Sequence, residues 1–493
     1  MVNQNKMYLL LGFNSTTSES SPTQKEHKKK SSFKRRCLTK TSALFGVVLI
    51  AVIVVSCFAF YQPAPNLPIN EGSHNTSNPT PIPSEGGSST NNHPQINEKP
   101  TVTSGTTKRP TKEGWKIVTN TNGNLTSTEW KQIATYAWKY YQPGGGVDTI
   151  TGLPWTSIGS PYITDWDIGV YIQAVIDSQQ LNFIGVNGTW GFDYRIDKVL
   201  TWLETRELNS ANYPYWFYKA DDGKVWKENA DKMPGDHVDI ADTGRLFVAL
   251  NNLKAYNQFA NRVDNLVYNN NQNRSNYRAI IDGIKGESYS STSIYSYLII
   301  KGFESFWPVE LSGASGRVLD NIFSSGETFT PENVSLPKAK ICGDPLLCSL
   351  FDIKNVDERI LTLVNKTYTA HEAYYISTGK FRAFGEGPQI STDWQWEWVV
   401  LPDGRTWMPL NDKGNPTEAP PVIYNKIAVG FLAVYNTVFT VRMAIMLENG
   451  FSESTTGYYE GIDEQGNTLT TSGSLNNGLI IGAALYYINN HKT

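Results

Sequence analysis

Histidine and cysteine are scarce: the 493-residue chain has six of the first and four of the second. His27, His74 and His93 fall in polar tails and His491 lies near the C-terminus, so only His237 and His371 are placed to sit in a core. Cys37 and Cys57 lie in or beside an apolar run, and Cys342 and Cys348 bracket Gly-Asp-Pro-Leu-Leu. A Cys/His zinc centre is poorly supported by such a set, and neither a metal nor a cofactor is expected. The short spacing of Cys342 and Cys348 predicts a disulfide, provided the compartment oxidises. Charge is sparse as well, at 18% of residues and a net −3. A general nucleic-acid binder would be basic, so no nucleic-acid partner is expected. There is no G-x-x-x-x-G-K-[ST], no G-x-S-x-G and no H-E-x-x-H.

The little charge there is lies unevenly. Residues 1–42 carry nine Lys/Arg and two Asp/Glu, a net +7, which leaves −10 on the other 451 residues. Residues 43–60, ALFGVVLIAVIVVSCFAF, follow that basic tail without one charge. Eighteen apolar residues approach the ~20 that cross a bilayer. With Lys/Arg confined to the leading flank, the N-terminus is expected in the cytoplasm and the C-terminal bulk outside, in a single-pass cell-membrane protein. Val54-Val55-Ser56-Cys57 also loosely resembles a lipoprotein-processing site, which would leave a lipidated Cys57 at the same surface. Residues 61–112 are a linker: 34 of these 52 are Pro, Ser, Thr, Asn or Gly. Such a chain buries too little apolar surface to fold. Six N-x-[ST] sequons beyond the anchor agree weakly with an outside location.

From residue 113 the chain turns globular. Aromatic residues make up 12% of the sequence, with 14 Trp and 26 Tyr. Apolar periodicity predicts helices over 126–141, 164–181, 193–208, 239–256, 258–270, 275–285, 291–304, 312–323, 354–366, 369–378 and 476–490. Residues 423–448 read as one long helix or a pair. The runs IGVYIQAVIDSQQL and TGRLFVALNNLKAY are apolar nearly all round, whereas FDYRIDKVLTWLETREL and FANRVDNLVYNN carry charge on one face. The first kind belongs inside and the second outside. Their alternation suggests helical hairpins with one ring inside another, a mainly α (α/α)6 toroid over 113–493. Small β-hairpins are expected around Asp221-Asp-Gly223 and Pro402-Asp-Gly404. Alternation places Trp394, Trp396 and Trp398 on one strand face, with Gln395 and Glu397 on the other.

Thr164-x-x-Asp167 and Asp239-x-x-Asp242 each open an interior-type helix. Each aspartate can be a cap that satisfies orphan N–H groups, and Asp242 can pair with Arg245. If both helices belong to an inner ring, their N-termini open on one mouth and the carboxylates converge there. Glycosidic bond cleavage uses such a pair, one protonated acid and one base or nucleophile. Glu386, between Gly385 and Gly387, and Glu460, before Gly461, sit in glycine-flanked loops that can face the same mouth. The catalytic candidates are therefore Asp167, Asp242 and Glu386. Asp165, Asp239 and Glu460 are candidate caps or substrate ligands. Sugar rings lie flat on aromatic faces, which singles out Trp166 and Trp396 among the loop and helix-start tryptophans Trp155, Trp216 and Trp407.

The segments TGLPW (151–155), TDWDIGVYIQAVIDS (164–178), DIADTGRLFVAL (239–250), FRAFGEG (381–387), WEWVVLPDG (396–404) and GYYEGIDEQG (457–466) together resemble the domain-of-unknown-function 3131 family. So does PVIYNKIAVGFLAVYNTVFTVRMA (421–444). The resemblance spans roughly 125–490. That family is similar to six-hairpin glycosidase-type toroids, which implies an (α/α)6 fold and a glycan substrate without assigning catalytic residues. Residues 305–355 fall outside the resemblance and read as an insertion over the funnel. The expectation is a surface-anchored protein acting on a poly- or oligosaccharide, a glycoside hydrolase. The alternative is a glycan-binding or envelope-structural protein without turnover.

Overall fold

Helix starts are written locally. Thr126 accepts from the Glu129 N–H (3.2 Å) while the Glu129 carboxylate accepts from the Thr126 N–H (2.6 Å), and helix α1 follows as Ser127–Trp138. The same reciprocal box, Thr164 with Asp167, opens α2, Asp165–Gln180. The computed structural model describes residues 125–491 apart from 161, 227–238, 269–275, 325, 327, 390–393 and 453. The basic tail, the apolar run 43–60, the linker 61–112 and His237 lie outside the described residues. Among the described residues no helix is long and apolar enough to cross a membrane.

Beyond α2 the helices are α3 (Phe192–Thr205), α4 (Ile240–Leu253), α5 (Asn257–Tyr268), the short α6 (Ile281–Glu287), α7 (Ile294–Glu304) and α8 (Ala314–Ser324). Then come α9 (Gly343–Asp352), α10 (Glu358–Thr378), α11 (Asn425–Tyr435), α12 (Val438–Gly450) and α13 (Ser474–Asn490). Helices α2, α4, α7, α9, α11 and α13 pack each on the next, and α13 packs back on α2. Outside this ring α3, α5, α8, α10 and α12 each pack on the inner helix that precedes them. The sixth outer helix, α1, packs on α13, so the first and last helices make the closing hairpin. The burial follows. Helix α2 buries an unbroken run from Asp167 to Ser178, whereas α5 buries only Phe259, Val263, Leu266 and Val267.

Connections from an inner helix to its outer partner are short, such as 254–256 and 436–437. Those from an outer helix to the next inner one are long, such as 139–164 and 379–424. All the described strands lie in these long connections, on the rim where the inner helices begin. Strands β1 (Tyr162–Ile163) and β2 (Tyr218–Lys219) pair there, as do β3 (Thr328–Phe329) and β4 (Leu336–Pro337). The antiparallel sheet of β5 (Glu386–Pro388), β6 (Trp394–Val400) and β7 (Thr406–Leu410) sets Glu386 opposite Trp396, and Trp398 opposite Met408. A second sheet joins β8 (Val422–Tyr424), β9 (Gly461–Asp463) and β10 (Thr468–Leu469).

Three expectations change, and an alternative left open is decided. The segment 305–355 is not an insertion: it holds α8 and the inner helix α9, which completes the ring. Gly343-Asp344-Pro345 looks like a loop in sequence, but a proline in the first turn removes no helical hydrogen bond. Cys342 and Cys348 are both free and buried. Cys342 precedes α9 and faces the Tyr295 hydroxyl (3.7 Å), while Cys348 lies two turns along the helix in the main core. Six residues of helix span about 9 Å, too far for a disulfide. The ranges 354–366 and 369–378 are one helix, Glu358–Thr378, within which the Thr369 hydroxyl donates to the Asn365 carbonyl (2.8 Å). The run 423–448 is a pair, parted at Asn436, whose φ of 44° is left-handed, and restarted by Thr437.

Ring closure demands close approach. A Cβ on Gly302 of α7 would collide with the Gly244 carbonyl oxygen of α4, and one on Gly244 would stand 2.8 Å from the Ile299 carbonyl oxygen. Gly302→Ala should therefore force α4 and α7 apart and cost about 1–3 kcal/mol. Thermal unfolding of the full chain reads this as a lowered Tm. An unchanged Tm would show that the crossing relaxes freely.

Candidate active site

All six inner helices begin on one rim, and contacts among their starts and the rim loops tie it together. The Thr243 hydroxyl of α4 donates to Asp165 of α2 (3.0 Å). Trp166 of α2 lies 6.1 Å, ring to ring, from Tyr295 of α7. Tyr295 meets Cys342 at the start of α9. Asp344 of α9 pairs with Lys426 of α11 (2.8 Å), and the Lys426 N–H donates to Asn476 of α13 (3.0 Å). The Ser474 N–H of α13 donates to the Thr156 carbonyl (2.8 Å), and the Thr156 hydroxyl donates to Asp167 of α2 (2.6 Å).

On the α2–α4 side four aspartates gather. Asp165 is buried against Arg206 in an ion pair. Asp167 closes the capping box, accepting from the Thr164 N–H (3.0 Å) and from Thr156, and burial pushes its carboxyl up to about 6. Asp239 caps α4, accepting from the N–H groups of Ala241 (2.8 Å) and Asp242 (3.2 Å), and burial raises it to about 6. Asp242 is half-buried. Burial, then the charge of Asp239, hold its carboxyl well above the usual range, with the Thr164 hydroxyl acting against them. Arg245, the cation expected beside it, instead pairs with Asp352 (2.6 Å).

The opposite side is built from β5, α9 and α11. Glu386 is buried, and its carboxylate accepts from the Trp394 indole N–H (3.3 Å). Burial, then the Asp344 charge, push it up to about 7 against Lys426, Tyr295 and Trp394. Lys426 is wholly buried, donating to the Glu386 carbonyl (2.5 Å) as well as to Asp344. Glu460 is buried against Gly473, where a Cβ would collide with its Oε1. Burial raises it to about 7, with Lys426 working against that. Tyr140 links the two sides, since the charges of Asp167 and Glu460 both hold its phenol up after burial has done so.

The tryptophans divide. Trp166, Trp394 and Trp396 are half-buried at the rim. Strand β6 alternates as expected, but its polar face is the buried one: Gln395 donates to Glu397 (2.8 Å), which also accepts from the Val422 N–H (2.5 Å). Trp407 is a packing residue, edge-on to His371 and Phe384, each 5.0 Å away. Among the described residues no group of three or more His, Cys, Asp or Glu could hold a metal ion.

Residues 132–490 match the family described as "Protein of unknown function (DUF3131)". The chain belongs to the DUF3131 family. None of the curated proteins matches it by sequence. Among solved structures it is similar to two proteins each named a "putative glucoamylase". For the one from Bacteroides fragilis the TM-score is 0.52 at 12% identity, over 75% of this chain and 92% of that one. For the one from Bacteroides caccae it is 0.51 at 12% identity, over 74% and 94%. An endo-β-1,2-glucanase from Chitinophaga pinensis, solved with sophorotriose and glucose, aligns at 0.49 and 11% identity over 74% and 93%. The first two establish the fold alone: this DUF3131 domain is mainly helical and resembles (α/α)6 glycosidase toroids.

Asp344, Lys426 and Tyr295 were not among the residues that the sequence singles out, and Trp394 was placed only by its strand face. Lys426 had a signal, as the one charge in the buried run NKIAVGFLAV, where an unpaired cation is untenable. Asp344 had none, being hidden in what looked like a cysteine loop.

The shifted groups set a pH window for the DUF3131 domain. Glu386 and Glu460 rise from 4.5 to about 7, and Asp167 and Asp239 from 3.8 to about 6, so the folded state holds protons that the unfolded chain releases. That stability is complete below the unfolded values and is lost as pH rises through the folded ones. His371, buried and lowered from 6.5 to about 4, acts oppositely: its contribution is present above 6.5 and lost as pH falls through 4. Tm should peak near the unfolded carboxyl values and fall from about pH 4.5 to about pH 7. A Glu386→Gln/Glu460→Gln variant should flatten that fall. A Tm that climbs over the interval would contradict the burial of these carboxyls.

Proposed function

We propose that this chain is a membrane-anchored, outward-facing glycoside hydrolase whose proton donor is Glu386. The observation that carries it is the ring order: Glu386 hangs beside α11, and α4, which carries Asp242, stands three places away in a ring of six. A glycan lying across the mouth would meet a carboxyl on each side. Glu386, at about 7, is partly protonated at neutral pH and suits donation to a leaving oxygen. Asp239 and Asp242 repel one another, so the two hold one proton between them and leave one ionised carboxylate as base or nucleophile. Asp165 and Asp167 shape the rim through Arg206 and the capping box. Glu460 is a substrate ligand. Trp166 and Trp396, with Trp394, offer faces on which sugar rings stack.

The fold likeness supports a carbohydrate reading, and because two neighbours bear the name glucoamylase, glucans head the panel of substrates. The alternative is glycan binding without turnover. It draws on Asp165 and Asp167, whose carboxylates are both committed to structural partners. Reducing-end release from a panel of neutral glycans separates the two. The wild-type chain should hydrolyse at least one, and Glu386→Gln and Asp242→Asn should each lower kcat by ~10²–10⁴ with the Tm retained. Binding without release by the wild type would favour the alternative. Full activity in both variants would remove these residues from the chemistry.

A further inference from the structure

The main chain of Glu386 is held in an unusual way. Among the described residues strand β5 is an edge strand, paired with β6 alone. The Glu397 N–H donates to the Gly385 carbonyl (2.7 Å) while Glu386 faces Trp396. Glu386 therefore occupies a non-hydrogen-bonded position, with its own N–H and C=O turned away from β6. An edge strand normally leaves such groups to water. Here they meet a buried ion pair. The Asp344 carboxylate accepts from the Glu386 N–H (2.7 Å), and the Lys426 ammonium donates to the Glu386 carbonyl (2.5 Å). Asp344 and Lys426 bond to each other at 2.8 Å, and both side chains are 0–1% exposed.

The glycines around Glu386 make room for its neighbours. A Cβ on Gly385 would collide with the Asp344 carboxylate, and one on Gly387 would stand 2.7 Å from the Tyr424 ring. Gly385 leaves the space that admits the Asp344 carboxylate to the backbone, and Gly387 leaves room for Tyr424. A buried ion pair adds little net stability, since desolvating both charges offsets their attraction. Its value here is directional, because one charge fixes each polar group of a single peptide segment.

We propose that the Asp344–Lys426 pair clamps the main chain of Glu386 and so aims its carboxyl at the mouth, making Asp344 and Lys426 positioning residues for proton donation. This rests on the reading of Glu386 as the donor. Neither residue is asked to touch the glycan. The groups facing the Glu386 carboxyl are Asp344 from α9, Lys426 from α11, Tyr295 from α7 and Trp394 from β6, with Cys342 beside Tyr295. The charge of Glu460 also acts on Lys426.

Titration of Glu386 tests the clamp independently of turnover. In full-length protein labelled with ¹³C at the glutamate carboxyls, the Glu386 resonance is the one that Glu386→Gln removes. Asp344→Asn should move its midpoint down and Lys426→Met up, each by about one pH unit, a tenfold change in proton affinity. The double variant, which leaves no unpaired buried charge, should fold and return the midpoint toward that of the wild type. A merely structural role would let water in and move every variant the same way, toward the ordinary glutamate value. Shifts in one direction, or none beyond about half a unit, would overturn the clamp. Where hydrolysis is found, both single variants should lower kcat at least tenfold with KM little changed. Opposite shifts in a protein that cleaves no glycan would sink the hydrolase reading and leave the clamp standing. Hydrolysis without those shifts would do the reverse.

Discussion

Six helices close into a ring only if every neighbour approaches near enough to leave no gap along the axis. The inner helices here achieve this at glycine crossings, of which Gly244 against Gly302 is the tightest. That closure has a directional consequence. Each inner helix runs the same way, so all six N-termini and every long connection share one rim. The outer helices return the chain by short turns at the other end. The fold thereby gathers residues as distant as Asp167 and Glu460 without any contact between them in sequence.

The rim carries a conflict between burial and charge. Helix N-termini favour carboxylates, and capping uses them at Asp167 and Asp239. Burial opposes ionisation, and it is the leading cause of the raised carboxyls at Asp167, Asp239, Asp242, Glu386 and Glu460. Two of the buried cations, Arg206 and Lys426, stand one on each of these sides, and each holds an aspartate. Among the described residues Asp242 and Glu386, like Asp167, Asp239 and Glu460, are not in an ion pair. A protonatable carboxyl on each side of the mouth follows from where the two cations were placed.

Most inner helices were legible because their apolar residues run all round, as in α2 and α4, and because Thr164 and Asp239 announce their starts. The short inner helix α9 was not legible. Ten residues opened by Gly-Asp-Pro read as a loop, and only its seat between α7 and α11 makes it a helix of the ring. Of the candidate acids, Asp167 and Asp239 were visible as caps, and they are caps. Glu386 was visible through its flanking glycines, although the reason for Gly385 is Asp344, forty-two residues earlier, and that for Gly387 is the Tyr424 ring.

Local sequence by itself determined the helix starts, the alternation of inner and outer helices and the family blocks, because capping and periodicity act over a few residues. Tertiary structure alone decided which charges meet. Arg245 turned from the neighbouring Asp242 to Asp352, Cys342 before α9 stayed apart from Cys348 within it, and Lys426 found Asp344 and Glu386. Each of those outcomes depends on which helices stand side by side in the closed ring, and spacing along the chain carries no record of that.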